Sequence, residues 1–379
     1  MKTLSNESEV RIMREEFIPV ERPAIGKEEM KAVQKALKTD YLIGPKGKIK
    51  CEFEKRFTEF IGVKYGIALS SGTAALHTAF YALGIGPGDE VIVPALSFVA
   101  SGDAIRYTGA TPVFVDVDSE TYNIDFSKIE DRITDNTKGI EVVHLYGLPA
   151  DMEPILKIAR GHGLYVVEDA AQSHGAKYRE KKTGSLGHAA GFSFWGNKNM
   201  TTAGGGFFVT DSEEISELAE LFSFAGEAYK TKPYQHVLLG HNYIMSEVLA
   251  AIGLVQLNKL EDFIKKRREN AEYLSEGLSG LDMNLPYEPE GCRHSFNQYV
   301  LRCKKRDYLR KELNKRNIQT KLPYPPIPYQ PSYKKYGYRR GSFPVTERIV
   351  DECLLIPVHP LLTKDELDRI IESTKTVLK

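Results

Sequence analysis

Residues 65–117 read YGIALSSGTAALHTAFYALGIGPGDEVIVPALSFVASGDAIRYTGATPVFVDV. Three short apolar runs, YGIALS, EVIVP and TPVFVDV, alternate with stretches that read as helices, one from Thr73 and one over 98–107. This alternation builds βαβ units, whose strands run parallel and whose helices cover both faces of the sheet. It continues through GIEVVHLYG (139–147), a helix near 152–160, LYVVEDA (164–170), GFSFWGN (191–197) and GGFFVT (205–210). The fold class is therefore α/β, with a largely parallel sheet. In such sheets a ligand sits beyond the carboxyl ends of the strands.

Upstream, Ile25, Met30, Val33 and Leu37 are spaced as one face of a helix that ends before the turn-like YLIGPKGK, and a second helix covers about 51–60. Downstream, Val248, Ala251, Ile252, Leu254, Val255 and Leu257 predict a helix up to Leu260, followed by the long charged helix DFIKKRRENAEYLSEGL. Past Leu281 the pattern changes to a strand (NQYVLRC), a helix (RDYLRKELNKR), a Pro/Tyr-rich loop (322–341) and a terminal helix, TKDELDRIIESTKTVL, with Thr363 as its N-cap. The predicted organisation is an N-terminal arm over 1–23, a large α/β domain over 24–261 and a smaller α+β domain over 262–379.

Length and composition agree with that plan. The chain has 379 residues, 42% of them hydrophobic, with 51 Lys+Arg against 51 Asp+Glu, which fits about two folded domains and excludes a disordered tail or a small disulfide scaffold. Balanced charge creates no general attraction for nucleic acid or an anionic membrane, so neither is expected as a partner and any anion site must be local. The four cysteines form no CxxC pair, so no metal site is expected. The charged start MKTLSNESEVRIMREEF has no apolar core and no stretch approaches a membrane span, so the expected setting is the cytoplasm.

Four features fall at strand ends. In SSGTAAL (70–76) a small-residue turn opens a helix, and its free backbone N–H groups can bind an anion, although Ser and Thr there also serve as plain helix caps. In EDAAQSHGA, Glu168 and Asp169 close a buried strand, where a carboxylate needs a partner: a cationic ring nitrogen, a salt bridge or a helix cap. In FSFWGNKNMTTAGGG, Lys198 follows a strand end. A partly desolvated loop there can lower its pKa for covalent chemistry, whereas a lone loop lysine is ordinarily solvated. In LGHNYIMSEVLAAIGLVQL, Asn242 precedes a helix and reads by itself as an N-cap.

Together these segments, with LGIGPGDEVIVPALSFVASGDAIRYTGATPVFVDVD, VVHLYGLPADM and FPVTERIVDECLLIPVHPLLTKDEL, resemble the DegT/DnrJ/StrS aminotransferases from about Arg22 to the C-terminus. The resemblance implies a fold type I, aspartate-aminotransferase-like homodimer that uses pyridoxal 5'-phosphate, with pyridoxamine 5'-phosphate as its intermediate form. The implied reaction moves an amino group from an amino acid, L-glutamate being the expected donor, to a keto-sugar linked to a nucleotide.

By the same resemblance, Lys198 is the Schiff-base lysine and proton carrier, and Asp169 pairs with the pyridine nitrogen. Phe98 and Ala171 pack on the two faces of the ring, and Gln172 reaches its hydroxyl side. Gly72, Thr73 and Ser193 bind the phosphate, and Asn242 reaches the phosphate in the neighbouring subunit. Candidate substrate contacts are the turn near Tyr41, the NYIM loop, His359 and the loop from Tyr324 to Tyr338. The chain departs from the family at Ala203–Gly206, where many members have Gly-Glu-Gly-Gly, at Ile244, where a basic residue is common, and at Pro328, where a histidine is frequent. Two other readings stay open: a pyridoxamine-phosphate-dependent sugar dehydratase, whose members carry histidine at the lysine position, and a non-catalytic ligand-binding relative.

Overall fold

The computed structural model describes residues 17–378. The first sixteen residues of the expected arm thus lie outside the described part. The first half of the chain runs α1 (Lys27–Ala36), α2 (Lys48–Ile61), β1 (Tyr65–Leu69), α3 (Gly72–Ala82), β2 (Glu90–Pro94), α4 (Ala100–Tyr107), β3 (Thr111–Val115), β4 (Thr137–Val143), α5 (Met152–His162) and β5 (Tyr165–Asp169). It continues with β6 (Lys177–Tyr178), β7 (Lys181–Lys182), β8 (Ala189–Ser193), β9 (Gly206–Thr210), α6 (Glu213–Ser223) and α7 (Glu247–Leu278). The C-terminal part holds β10 (Cys292–Arg293), β11 (Tyr299–Arg302), α8 (Arg306–Lys315), α9 (Pro344–Glu352), β12 (Cys353–Ile356) and α10 (Lys364–Leu378).

Seven strands form the main sheet in the order β1-β9-β8-β5-β4-β2-β3, parallel throughout except β9, which runs antiparallel to both neighbours. The period-2 alternation of each strand divides its side chains between two cores. Val91, Val93 and Val167 join the core under α3 and α4, while Ile92, Ile140 and Val166 join the core under α5. A third core, built from Phe53 and Phe57 of α2, Phe192, Phe194 and Phe207, is closed by Ala250, Leu257 and Leu260 of α7.

Strand alternation also separates the two carboxylates that end β5. Glu168 shares the side of Val166; there it accepts backbone N–H bonds from Gly184 (2.7 Å), Leu186 (2.7 Å) and Gly187 (2.6 Å) and meets His144 Nε2 at 2.8 Å. Its role is to fasten the 184–187 turn, and Asp169 is left pointing to the α4 side. Glu168→Ala strands those buried donors and is expected to cost about 3–5 kcal/mol of stability, read as a fall in denaturation midpoint.

The C-terminal elements differ from the sequence expectation in detail. The two helices expected on either side of Leu260 are one 32-residue helix, α7. Its N-cap is Ser246, whose hydroxyl accepts the Leu249 N–H at 3.4 Å, so Asn242 does not cap it. The first half of α7 packs on the large domain, while Ala271, Leu274 and Leu278 join a core with β11, β12, α8 and α10. The expected boundary at 261/262 thus lies inside a helix that serves both cores, and we propose that the two domains meet along it. Ile18 is buried in the second of these cores, tied by the Ile18 N–H to Asn317 (2.9 Å) and the Gln319 N–H to Ile18 (2.9 Å). Thr363 and Glu366 cap α10 reciprocally, each side chain accepting from the other's N–H at 3.2 and 2.8 Å. No described helix is long and apolar enough to cross a membrane.

Candidate active site

At the carboxyl ends of β5 and β8, a cavity of about 410 Å³ is lined by residues from eight separate stretches of chain. Gly72, Thr73, Phe98, Asp169, Ala171, Gln172, Ser193 and Lys198, eight of the nine residues singled out from the sequence, all stand in its wall. Asn242 does not line it and is exposed.

The floor is a junction of two backbones. Between β1 and α3 the chain turns at Ser71, whose hydroxyl accepts the Ala74 N–H at 3.0 Å. The N–H groups of Gly72 and Thr73, at the first two helical positions, have no carbonyl partner within α3 and mark the positive end of its dipole. Glycines let this turn press on the β8–β9 hairpin: a Cβ on Gly72 would lie 2.8 Å from Ser193 Cβ, and one on Gly206 would lie 2.2 Å from the Ser71 carbonyl oxygen. Ser193 is thereby held against the helix opening.

Lys198 sits in the loop joining β8 to β9. The hairpin is closed by the Phe194 N–H to Gly205 (2.9 Å), and its loop is tied inward by the Lys198 N–H to Trp195 (3.0 Å) and Asn199 Nδ2 to Ser295 (2.9 Å). Ala203 takes a left-handed conformation (φ 67°), one that ordinarily favours glycine. The Lys198 amine faces the cavity, and desolvation pulls it down to about 8 from 10.5, assisted by Lys321 and opposed by Asp169 and Glu21. Its neutral, nucleophilic form therefore grows as pH rises through about 8. Capture of added pyridoxal phosphate by the cofactor-free protein is expected to accelerate with pH and level off above about 8, rather than near 10.5, in stopped-flow absorbance.

Asp169 is buried. Its Oδ2 accepts the Ser101 hydroxyl at 2.8 Å and its Oδ1 accepts the Ala171 N–H at 3.1 Å. Ser101, in the first turn of α4, lies 2.8 Å from Ser97 Oγ, so a chain of two hydroxyls ends on the carboxylate. Burial raises the Asp169 carboxyl above its ordinary range, against the downward pull of Ser101, Ala171 and Lys198. A cation beside it would offset that cost. Gln172 Oε1 accepts the Tyr146 N–H at 3.0 Å, which leaves its amide nitrogen for the cavity. The Phe98 ring is half exposed at the mouth, 5.6 Å from the Tyr324 ring.

Other expected substrate contacts divide. Tyr324 lines the cavity, but His359 is buried away from it, with Nε2 at 3.2 Å from the Pro19 carbonyl. Burial and the nearby Arg267 and Arg22 push His359 down to about 3. Tyr333 donates to Asp103 (2.8 Å) under the Arg106 guanidinium, a structural contact. Tyr41 and Pro328 lie outside the cavity wall.

Sequence reading missed Ser101, Tyr146 and Lys321. Ser97 and Ser101 stand one helical turn apart in ALSFVAS, a spacing that could have marked them. Tyr146 lines the cavity with a left-handed backbone (φ 59°) and a buried hydroxyl that has no hydrogen-bond partner among the described residues.

The profile of the DegT/DnrJ/EryC1/StrS aminotransferase family matches residues 23–375. A GDP-perosamine synthase of Caulobacter vibrioides is 38% identical over 95% of this chain and 98% of its own length. A dTDP-3-amino-3,6-dideoxy-alpha-D-galactopyranose transaminase of Aneurinibacillus thermoaerophilus is 40% identical over 92% of this chain and 94% of its own. Among solved structures, the PMP form of the putative sugar aminotransferase Spr1654 from Streptococcus pneumoniae superposes with a TM-score of 0.91, at 28% identity over 95% of this chain and 97% of that one.

Proposed function

The chain belongs to the DegT/DnrJ/EryC1/StrS aminotransferase family, and on that premise we propose that it moves an amino group from L-glutamate to a nucleotide-linked 3- or 4-keto sugar. The observation that carries this reading is the meeting, in one cavity, of an amine lowered to about 8 (Lys198), a buried carboxylate (Asp169) and the open N-terminus of α3. The family is pyridoxal-phosphate-dependent, and these residues fit that group. At the close junction of Gly72 with Ser193 both residues face the cavity, where the start of α3 offers two N–H donors for a phosphate, and the buried Asp169 calls for a cationic partner.

When bound, pyridoxal phosphate supplies an aldehyde to carry the amino group and a ring that draws electron density from the reacting carbon. Lys198 would act twice, as the nucleophile that holds the aldehyde and as the base and acid that moves a proton at the reacting carbon. Asp169 holds a proton on the ring nitrogen. Ser101 and the Ala171 N–H orient its carboxylate and favour the charged form. Gly72, Thr73 and Ser193 would hold the phosphate, Phe98 and Ala171 would enclose the ring, and Gln172 would serve the ring's hydroxyl side. Lys198 also disfavours the dehydratase reading, because the resemblance implies a histidine at that position in such enzymes.

The reading includes a homodimer. Its support is the apolar surface of α1 and the segment after it, where Ile25, Met30, Leu37, Leu42 and Ile43 are exposed, together with the placement of Asn242 outside its own chain's cavity. If Asn242 completes the partner's site, mixing Lys198→Ala with Asn242→Ala chains restores one intact site per heterodimer. Activity then rises from near zero to about a quarter of the wild-type value at limiting cofactor. No recovery on subunit exchange would place Asn242 in its own chain's site.

The function itself is tested by incubating the holoenzyme with L-glutamate and UDP-, GDP- and dTDP-linked 3- and 4-keto sugars. The expected product shows the mass change of a carbonyl oxygen replaced by hydrogen and an amino group. Consumption of glutamate without any aminated sugar, or release of water from the sugar with its nitrogen content unchanged, would overturn the reading.

A further inference from the structure

Among the described residues, the cavity wall carries one cationic side chain besides Lys198: Lys321, at the start of the Pro/Tyr-rich segment. It is ion-paired with Glu21, which the chain brings in just before α1. Two more cavity-lining side chains converge on the same carboxylate: Asn197 Nδ2 at 3.0 Å and Gln298 Nε2 at 3.3 Å, both on Glu21 Oε1. Three donors from three separate parts of the chain therefore already recognise a carboxylate, and they do so in the wall of the reacting cavity.

The proximity of this group to the chemistry is visible in Lys198, whose amine responds to the charge of both Glu21 and Lys321. Resting on the aminotransferase reading, we infer that Lys321 binds a carboxylate of the amino-acid donor, with Glu21 as the built-in counter-charge that the donor's carboxylate competes against. An amino acid carries its carboxylate on the same carbon as its amine, so a cation close to Lys198 is correctly placed for it. The diphosphate of a sugar nucleotide is separated from a 3- or 4-keto carbon by the sugar ring and falls farther from Lys198.

The pairing also answers a difficulty of any enzyme whose two substrates take turns in one cavity. The donor brings a carboxylate, whereas the sugar presents only neutral hydroxyls near the reacting carbon. A fixed, unpaired cation would serve the first and be left desolvated and uncompensated against the second. Glu21 supplies the compensating charge whenever the donor is absent, and yields Lys321 when a carboxylate arrives.

The inference predicts changes of opposite sign, measured by calorimetric titration of the full-length holoenzyme with glutarate, a dicarboxylate that has no amine to transfer. Lys321→Met is expected to weaken glutarate binding by about tenfold or more, and Lys321→Arg to keep it within about threefold of wild type. Glu21→Gln, which removes the competing charge, is expected to tighten it several-fold. Binding of UDP, GDP and dTDP is expected to stay unchanged in all three variants, and thermal midpoints identify any variant that has lost its fold.

Equal glutarate affinity in Lys321→Met and wild type, weakening by both Lys321→Met and Glu21→Gln, or no glutarate binding by the wild type would overturn the inference. So would a loss confined to nucleoside diphosphates, which would assign Lys321 to the nucleotide. The titration needs no turnover. An enzyme that aminates keto sugars while its glutarate affinity ignores Lys321 loses this inference alone, and one that binds glutarate as expected but aminates no sugar loses the proposed function alone.

Discussion

Lys198→Ala is expected to abolish amino transfer, with a residual rate lower by at least about 10³-fold, and to remove the visible absorbance band that marks the lysine-linked cofactor. The size of the effect follows from the double duty of one amine. Among the described residues no other amine lines the cavity except Lys321, which is engaged by Glu21. The substitution spares the phosphate cradle, because Gly72, Thr73 and Ser193 belong to other elements, so the cofactor still binds without its covalent link. The separating measurement is the spectrum of the dialysed variant beside its turnover rate. Retained transamination in Lys198→Ala would remove that residue from the mechanism.

Asp169→Asn is expected to lower kcat by about 10²–10⁴-fold while leaving the fold intact. The amide keeps the size of the carboxylate and can still accept the Ser101 hydroxyl and the Ala171 N–H through its oxygen, but it cannot hold a proton on a ring nitrogen. The same change affects stability in the opposite direction. Burial raises the folded-state pKa of Asp169, so in the cofactor-free protein this group favours folding at low pH, and that contribution is lost as pH rises through the raised value. At neutral pH this buried acid is therefore a burden on the fold, and the asparagine variant without cofactor is expected to melt at or above the wild-type temperature. Low activity with undiminished stability marks a residue kept for chemistry. A variant that both loses activity and melts earlier would instead mark Asp169 as a structural anchor.

The contrast with Glu168 shows what the sequence could and could not reveal. Both carboxylates stand in VVEDAA, and hydropathy treats them alike. The period of a strand sends them to opposite faces, but which face holds the cavity depends on helices α3 and α4, far away in sequence. The parallel sheet itself was legible because its strands are short, apolar and separated by helices with clear turn residues. The strand β12 was not: Cys353–Ile356 are four apolar residues that directly follow α9, too short a run to show a period of two. Helix α6 carried the usual signals, Ser212 capping Ile215 at 3.3 Å with Glu213 and Glu214 in its first turn, and was readable in hindsight.

Within the cavity, the residues that came from the β5, β8 and α3 ends were legible through their motifs. Lys321 and Glu21 were not, since a lysine and a glutamate 300 positions apart carry no local pattern. Only the packing of the segment around Ile18 along residues 317–319 brings them together. Asn242 shows the reverse case. Its place before a helix suggested a cap, but the chain runs on extended, bridged at Asn242, Ile244 and Ser246, and gives that task to Ser246, leaving the asparagine exposed.

The central claim is that Lys198 and Asp169 form a pyridoxal-phosphate site that accepts an amino group from L-glutamate. Its most direct test is the absorbance spectrum of the purified protein with pyridoxal phosphate, recorded before and after L-glutamate is added. The expected result is a visible band in the wild type, absent in Lys198→Ala, that gives way to the shorter-wavelength band of pyridoxamine phosphate on addition of glutamate. A protein that takes up pyridoxal phosphate without any visible band, or whose band is indifferent to L-glutamate and every other amino acid, would contradict it.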